Sequence, residues 1–197
     1  MIITFKTVKN YAETLGYKSN IENFISEIDD LEGDTFGEKL KNYYEYNAGI
    51  ITDIEGLTIK LSKNDPDLEP DGWDPEAIHS IAKAATDIDT FDIIIIHNED
   101  VFEITDPEDY KNLLLYFLYH ELTHIIRLNN GCNDKYYEGA ISKEYLLSEG
   151  ELNAFMVQLV SGLFGDVVLD IYNIFFDQYT KKEIAYIQDT LNKVKAN

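Results

Sequence analysis

A long stretch of helical periodicity, from Thr105 to Gly131, constrains the fold of this chain more than any other part of the sequence. Thr105 and Glu108 have the spacing of a capping box, which predicts that a helix begins there. Apolar residues then recur at helical spacing as far as Asn129, and a glycine at position 131 is typical of a helix end. We therefore predict one long helix, preceded by a buried strand at Phe91–His97, where β-branched residues favour extended structure.

The segments on either side of this helix predict an α+β fold. Upstream, the patterns favour two helices, at Ile21–Leu31 and Phe36–Tyr46. They are followed by a β-hairpin around Glu55-Gly56, with strands at Gly49–Ile54 and Leu57–Leu61, and by a short helix at Pro75–Ala85. Downstream, helical patterns extend over Ser142–Phe164, Asp166–Gln178 and Thr180–Lys195. No internal repeat or Ser/Gly-rich linker interrupts the chain, so we expect residues 1–197 to form a single domain. That domain has a small N-terminal sheet with helices and a helical C-terminal half.

The chain is strongly acidic. It carries 37 Asp and Glu residues against 16 Lys and Arg residues, for a formal net charge of -21 at pH 7. Such a charge repels phosphate backbones and anionic membrane surfaces, so we expect neither nucleic acid nor a membrane as a partner. It favours basic peptides or proteins instead.

Cysteine content and hydropathy predict a cytoplasmic protein. Cys132 is the only cysteine, which excludes an intramolecular disulfide and a thiolate-rich zinc site. Residues Met1–Lys18 mix charged with apolar side chains and lack the continuous apolar run of a signal peptide. The most apolar segments, Ile93–Ile96 and Leu113–Tyr119, are too short to span a bilayer. No feature of the sequence indicates an oligomeric state.

The long predicted helix carries the motif His120-Glu121-Leu122-Thr123-His124. Residues four apart stack on one face of a helix, so both imidazoles can bind a single Zn²⁺ ion. Glu121 lies about 100° around the helix from His120, where its carboxylate can accept a proton from a zinc-activated water. We predict His120 and His124 as metal ligands and Glu121 as a general base. The alternative is a pair of histidines on the helix surface or in the core, without a metal.

A catalytic zinc ion needs a third protein ligand, and two glutamates near the start of the next predicted helix are candidates. Glu149 and Glu151 are two residues apart and point to different sides of a helix, so only one of them can face the metal. We favour Glu151, which begins the run Glu151-Leu152-Asn153-Ala154-Phe155. Its alternative role is helix capping, because Ser148 lies three residues before it.

The histidine motif followed by a helical glutamate resembles the gluzincin group of metallopeptidases, and the Glu-x-Asn-x-Phe run at residues 151–155 is similar to that of the ImmA/IrrE-type family. This resemblance implies a zincin-like fold, hydrolysis of peptide bonds and Glu151 as the third zinc ligand. Sites of this kind use a further donor to stabilise the oxyanion. The sequence offers four candidates for that donor: Tyr136, Tyr137, Tyr145 and His97.

Other interpretations stay open on the sequence alone. The net charge suits a non-enzymatic acidic interaction or inhibitor protein. Leu152 stands where the ImmA/IrrE-type family usually has alanine, which suits a pseudo-peptidase that binds metal without cleaving peptides. The acidic stretch Asp65–Glu76 has the carboxylate rhythm of a calcium loop. Pro70 occupies the position at which an EF-hand needs glycine, so we expect a solvated loop.

Overall fold

The computed structural model describes residues 1–47, 50–54, 56–61, 82–87, 90–134 and 141–196. Within these ranges the chain forms eight α-helices and a four-stranded sheet, which confirms the predicted mixture of helix and strand. The helices are α1 (Phe5–Thr14), α2 (Tyr17–Asp29), α3 (Phe36–Tyr46), α4 (Pro107–Asn129), α5 (Lys143–Leu146), α6 (Glu149–Ser161), α7 (Gly165–Asn173) and α8 (Lys181–Lys195). The strands are β1 (Ile50–Ile54), β2 (Leu57–Leu61), β3 (Ala82–Thr86) and β4 (Ile93–His97), and 3-10 turns occupy Glu99–Glu103 and Phe176–Gln178.

The sheet has the strand order β1-β2-β4-β3, so β3 forms one edge. β1 and β2 pair in antiparallel fashion, which confirms the predicted hairpin. β4 runs parallel to β2 and antiparallel to β3. Ile93, Ile95 and Ile96 of β4 are buried, as expected for a central strand with apolar neighbours on both faces. Because α4 packs against both β3 and β4, the edge strand lies beside the helix that carries the histidine motif.

The N-terminus of α4 is capped by a different residue from the one predicted. The capping box of Thr105 and Glu108 is wrong, because Asp106 is the N-cap and its side chain accepts a hydrogen bond from the Glu108 N–H at 2.8 Å. Pro107 then occupies the first helical position, where the N–H that proline lacks has no helical partner. The N-cap, and with it the helix start, therefore shifts by one residue.

The C-terminus of α4 matches the sequence pattern. The helix ends at Asn129, and Gly131 adopts a left-handed φ of 77°. The Cys132 N–H then donates to the Arg127 carbonyl at 3.0 Å, which satisfies one of the last helical acceptors. This bond turns the chain sharply after α4.

α6 packs along α4, and α1, α7 and α8 surround α6. Both helices contribute apolar residues to the core, and those that are 0% exposed include Leu114, Leu118, Leu122, Leu152 and Val157. Burial of a side chain of this kind contributes about 1.5–3 kcal/mol. This packing fixes the relative position of the two helices whose polar residues form the site described below.

Several local predictions differ from the structure. The pattern did not predict α1, whose first turn is capped by the Thr4 hydroxyl. The helix expected over Pro75–Ala85 is wrong in its described part, because Ala82–Thr86 pairs with β4 as a strand. Pairing in the sheet overrides a local preference of this strength. The calcium-like stretch at residues 65–76 and His79 lie outside the described residues.

The helix predicted over Ser142–Phe164 is divided into α5 and α6. Leu147 ends α5, and Ser148 has an extended backbone with ψ of 145°. The break places Glu149 and Glu151 in the first turn of α6, where the helix dipole stabilises carboxylates.

Among the helices of the described ranges, none has both the length and the apolar composition needed to cross a bilayer.

Candidate metal centre

His120 and His124 project from the same face of α4. Their Nε2 atoms lie 3.2 Å apart, and their ring centroids are 5.0 Å apart. His120 is 9% exposed, and the side chain of His124 is 15% exposed. Two imidazoles that face each other through Nε2 in a mostly buried position can share one proton or bind one metal ion.

Glu151 reaches the two histidines from the first turn of α6. Its Oε2 atom lies 3.2 Å from His120 Nε2, and its Oε1 atom lies 3.5 Å from His124 Nε2. One ligand atom from each of the three residues lies within 4.8 Å of the others. The side chain of Ser148 makes no capping hydrogen bond, so the capping box considered as an alternative role for Glu151 is not formed.

The spacing of these three side chains suits a zinc ion. Ligand atoms about 2.0–2.2 Å from a tetrahedral zinc ion lie about 3.3–3.6 Å from one another. The two Nε2 atoms lie 3.2 Å apart, and one oxygen of Glu151 lies 3.2 Å from His120 Nε2 while the other lies 3.5 Å from His124 Nε2, so the carboxylate faces both rings at about this spacing. Within the described residues, Glu151 Oε2 is buried and has no hydrogen bond of acceptable geometry. A buried carboxylate oxygen in this state is unfavourable, and a cation between the two imidazoles would satisfy it.

A glutamine holds the far side of the His120 ring. His120 Nδ1 lies 3.1 Å from Gln158 Oε1, and Gln158 Nε2 donates to the Tyr116 carbonyl at 3.1 Å. The second bond fixes the amide with its oxygen toward His120, so Nδ1 is the donor in this contact. The ring of Phe155 packs edge-on against His120 at a centroid distance of 4.9 Å. Both contacts orient His120 Nε2 toward Glu151.

An aspartate occupies the matching position behind His124. Asp134 Oδ2 lies 3.6 Å from His124 Nδ1. Arg127, which is 2% exposed, donates to both carboxylate oxygens of Asp134 at 2.7–3.1 Å. A carboxylate or amide behind each ligating imidazole is the arrangement that fixes the ring and its tautomer in metal sites.

The cluster is charged when it holds no metal. Burial alone lowers the pKa of His124, but the adjacent carboxylates of Asp134 and Glu151, together with the charge of Glu121, raise it to about 10. Burial raises the pKa of Glu151, but its close approach to the rings of His120 and His124 and the charges of those rings overcome burial and hold this pKa well below its usual range. A metal-free protein therefore keeps a protonated His124 beside an ionised Glu151 at neutral pH.

Glu121 lies on the same helix, between the two histidines in sequence, and is 6% exposed. Its Oε2 atom accepts a hydrogen bond from the Thr86 hydroxyl at 2.7 Å. Its negative charge contributes to the raised pKa values of His124 and Tyr145, so its carboxylate is close to both groups. Glu121 is thus positioned beside the cluster, with a partner on the edge strand β3.

The four candidate oxyanion donors differ in where they lie relative to the cluster. Tyr136 and Tyr137 lie outside the described residues. His97 is fully buried, and its Nδ1 is hydrogen-bonded to the Tyr44 hydroxyl at 2.7 Å rather than to a residue of the cluster. Burial raises the pKa of Tyr145, and the charge and hydrogen bond of Glu151 raise it further, so this phenol stays protonated as a donor beside the cluster. Tyr145 is the candidate that the structure brings to the site.

Glu149, the alternative third ligand, points elsewhere. Its Oε1 atom pairs with the Met1 amino group at 2.6 Å and lies 3.4 Å from Arg127 Nη1. Asn153 of the same run has a structural role, because its side chain exchanges two hydrogen bonds with the backbone of Ile3, at 2.7 and 2.9 Å. Of the two glutamates, Glu151 alone meets the histidines.

Four residues of the site did not emerge from the sequence. The helical spacing could have indicated two of them: Gln158 lies seven residues, or two helical turns, after Glu151, and Arg127 lies seven residues after His120. No spacing pointed to Asp134 or Thr86, because a turn and a strand bring them to the site rather than the helices that carry the motif.

In comparisons with known proteins, no family model, no curated protein and no solved structure matches the chain. The geometry of the side chains therefore carries the functional argument.

Proposed function

We propose that this protein is a zinc-dependent metallopeptidase with a zincin-like site, in which His120, His124 and Glu151 hold the metal. One observation carries the proposal: the two Nε2 atoms lie 3.2 Å apart, and the two oxygens of the Glu151 carboxylate lie 3.2 and 3.5 Å from them, so all three side chains can bind one zinc ion placed between them. The polar groups behind both imidazoles support it: Gln158 is hydrogen-bonded to His120 Nδ1, and the Asp134 carboxylate lies 3.6 Å from His124 Nδ1, so Nε2 of each ring is turned toward Glu151.

The remaining side chains suit hydrolysis of a peptide bond. Bound zinc lowers the pKa of a water molecule and polarises a carbonyl group. In this proposal Glu121 accepts a proton from the attacking water and later donates it to the leaving amine. Tyr145, which stays protonated, donates a hydrogen bond to the oxyanion. The protein supplies the base, the donor and the orientation of the ligands.

The edge strand β3 gives the substrate a place to bind. Within the described ranges, no strand pairs with the outer edge of β3, and Thr86 at its end contacts Glu121. An extended peptide can add to such an edge through main-chain hydrogen bonds. The net charge of -21 favours basic peptides, whose approach it accelerates at low ionic strength.

Metal content tests the zinc site. We expect the purified protein to bind one zinc ion per chain, measured by elemental analysis, and Glu151→Gln to lose most of it. Glu149→Gln is the matched control, because Glu149 is two residues away and pairs with Met1 instead of the histidines. Equal zinc content in both variants, or none in the wild type, would remove the basis of the proposal.

Cleavage tests the chemistry separately. We expect the zinc-loaded protein to cleave quenched fluorescent peptide pools, with basic pools cleaved faster than acidic ones. Glu121→Gln should keep zinc and lose cleavage by at least about a hundredfold. Glu108→Gln, an exposed glutamate at the start of the same helix that pairs with Lys111, should change neither. Zinc binding with no cleavage of any pool would favour the pseudo-peptidase.

A further inference from the structure

Within the described residues, the hydroxyl of Thr86 donates a hydrogen bond to Glu121. The backbone of Thr86 is itself held in place by hydrogen bonds of the sheet. Thr86 is the last residue of β3 and pairs with Ile93 of β4. The next residue, Asp87, accepts the Phe91 N–H and donates its own N–H to the Asp92 carbonyl, both at 2.8 Å. The strand and the turn after it therefore fix the position from which the hydroxyl acts.

The contact itself is short and directional. Thr86 Oγ1 lies 2.7 Å from Glu121 Oε2, the length of a strong hydrogen bond from a hydroxyl to a carboxylate. Threonine has a branched Cβ, so few side-chain rotamers are lost when the bond forms. Glu121 has three side-chain torsions and is 6% exposed, and this bond restricts them.

We propose that Thr86 is a positioning residue for the general base: it holds Oε2 of Glu121 so that Oε1 is presented to the attacking water. This inference rests on the proposed metallopeptidase function. A base contributes fully only when it lies within hydrogen-bond reach of the proton that it removes. Thr86 supplies that placement from the sheet, whereas the zinc ligands are placed by the two helices.

A small zinc chelator tests this role without a peptide substrate. Acetohydroxamic acid binds zinc through two oxygens, and its acidic proton can be taken up by a neighbouring carboxylate. Its affinity for the zinc-loaded protein therefore reports where Glu121 lies. We expect Thr86→Val to weaken acetohydroxamate binding roughly tenfold, with zinc content unchanged, measured by isothermal titration calorimetry. Thr86→Ser, which keeps the hydroxyl, should restore binding to within about twofold of the wild type.

A double-mutant cycle separates positioning from a general structural effect. In a Glu121→Gln background, Thr86→Val should have little further effect, because the carboxylate through which Thr86 acts is gone. Thr190→Val is the matched control, since its buried hydroxyl donates to the Tyr186 carbonyl within α8, in no contact with Glu121. Thr86→Ala is the second variant, because it removes the hydroxyl without adding a methyl group to the site.

The outcomes distinguish the two proposals. Weaker acetohydroxamate binding in Thr86→Val and Thr86→Ala, rescue by serine and loss of the effect in the Glu121→Gln background support the role of Thr86. A wild type that binds zinc and acetohydroxamate and is weakened by Glu121→Gln, but not by Thr86→Val, overturns that role and leaves the zinc site standing. A wild type that binds no zinc overturns both.

Discussion

The carboxylate of Asp134 packs directly against Gly150: a Cβ atom at position 150 would lie 2.6 Å from Asp134 Cγ. Gly150 separates the two glutamates of α6, and Asp134 stands behind His124. The absence of a side chain at Gly150 therefore makes room for the group that orients a proposed zinc ligand. The same glycine also lets α6 approach the turn that follows α4.

Gly150→Ala should weaken zinc binding. Asp134 is short and is held by Arg127, so its carboxylate must move away from His124 to admit the methyl group. We expect zinc affinity to fall on the order of tenfold, measured by competition with a chromogenic chelator. Gly165→Ala is the control, because its Cβ would meet Leu159 at an ordinary 3.6 Å. Equal affinities in the two variants would show that Asp134 does not orient His124.

Zinc binding should strengthen as the pH rises above neutrality. In the metal-free protein the pKa of His124 is raised to about 10, so this side chain is protonated at pH 7 and zinc must displace its proton. Between about pH 7 and 9 we expect the apparent affinity to rise about tenfold per pH unit. Calorimetry in buffers of different ionisation enthalpy should show close to one proton released per zinc ion. Release of no proton at pH 7 contradicts this assignment.

Gln158→Leu should damage both stability and zinc binding. The substitution leaves the buried His120 Nδ1 without its partner, at about 1–3 kcal/mol, and removes the additional hydrogen bond that Gln158 donates to the Tyr116 carbonyl. We expect a lower free energy of unfolding in urea and a zinc affinity about 10–100-fold weaker. Met156→Leu, an apolar exchange at a buried position of the same helix, should cost less than about 1.5 kcal/mol and leave zinc affinity unchanged.

Tyr44→Phe should affect stability alone. The Tyr44 hydroxyl and His97 Nδ1 share a hydrogen bond at 2.7 Å, and both side chains are buried. Loss of the hydroxyl leaves an imidazole nitrogen unpaired and should lower the free energy of unfolding by about 1–3 kcal/mol, with zinc affinity retained. Tyr46→Phe, at a position 91% exposed, should change stability by less than about 0.5 kcal/mol. Weaker zinc binding in Tyr44→Phe would assign His97 to the site.

Much of the fold near the site was predictable because its signals are local. The hairpin of β1 and β2, the strand β4 and the end of α4 at Asn129 all follow from periodicity or turn residues within a few positions. β3 was not predicted, because the segment Ala82–Thr86 is extended through pairing with β4 rather than through its own preference. The start of α4 was misplaced because Asp106 competed successfully with Thr105 as the cap.

The sequence by itself determined which residues of α4 share a face, because residues four apart in an α-helix lie on the same side whatever surrounds the helix. It also limited the candidates for the third ligand to two glutamates, which point to opposite sides of the next helix. Only the tertiary structure decided between them, because the packing of α6 on α4 turns Glu151 toward the histidines and leaves Glu149 with Met1. The contacts of Asp134 with His124 and of Thr86 with Glu121 were beyond the sequence, since the chain beyond the end of α4 brings Asp134 back to the helix and an edge strand brings Thr86 to it.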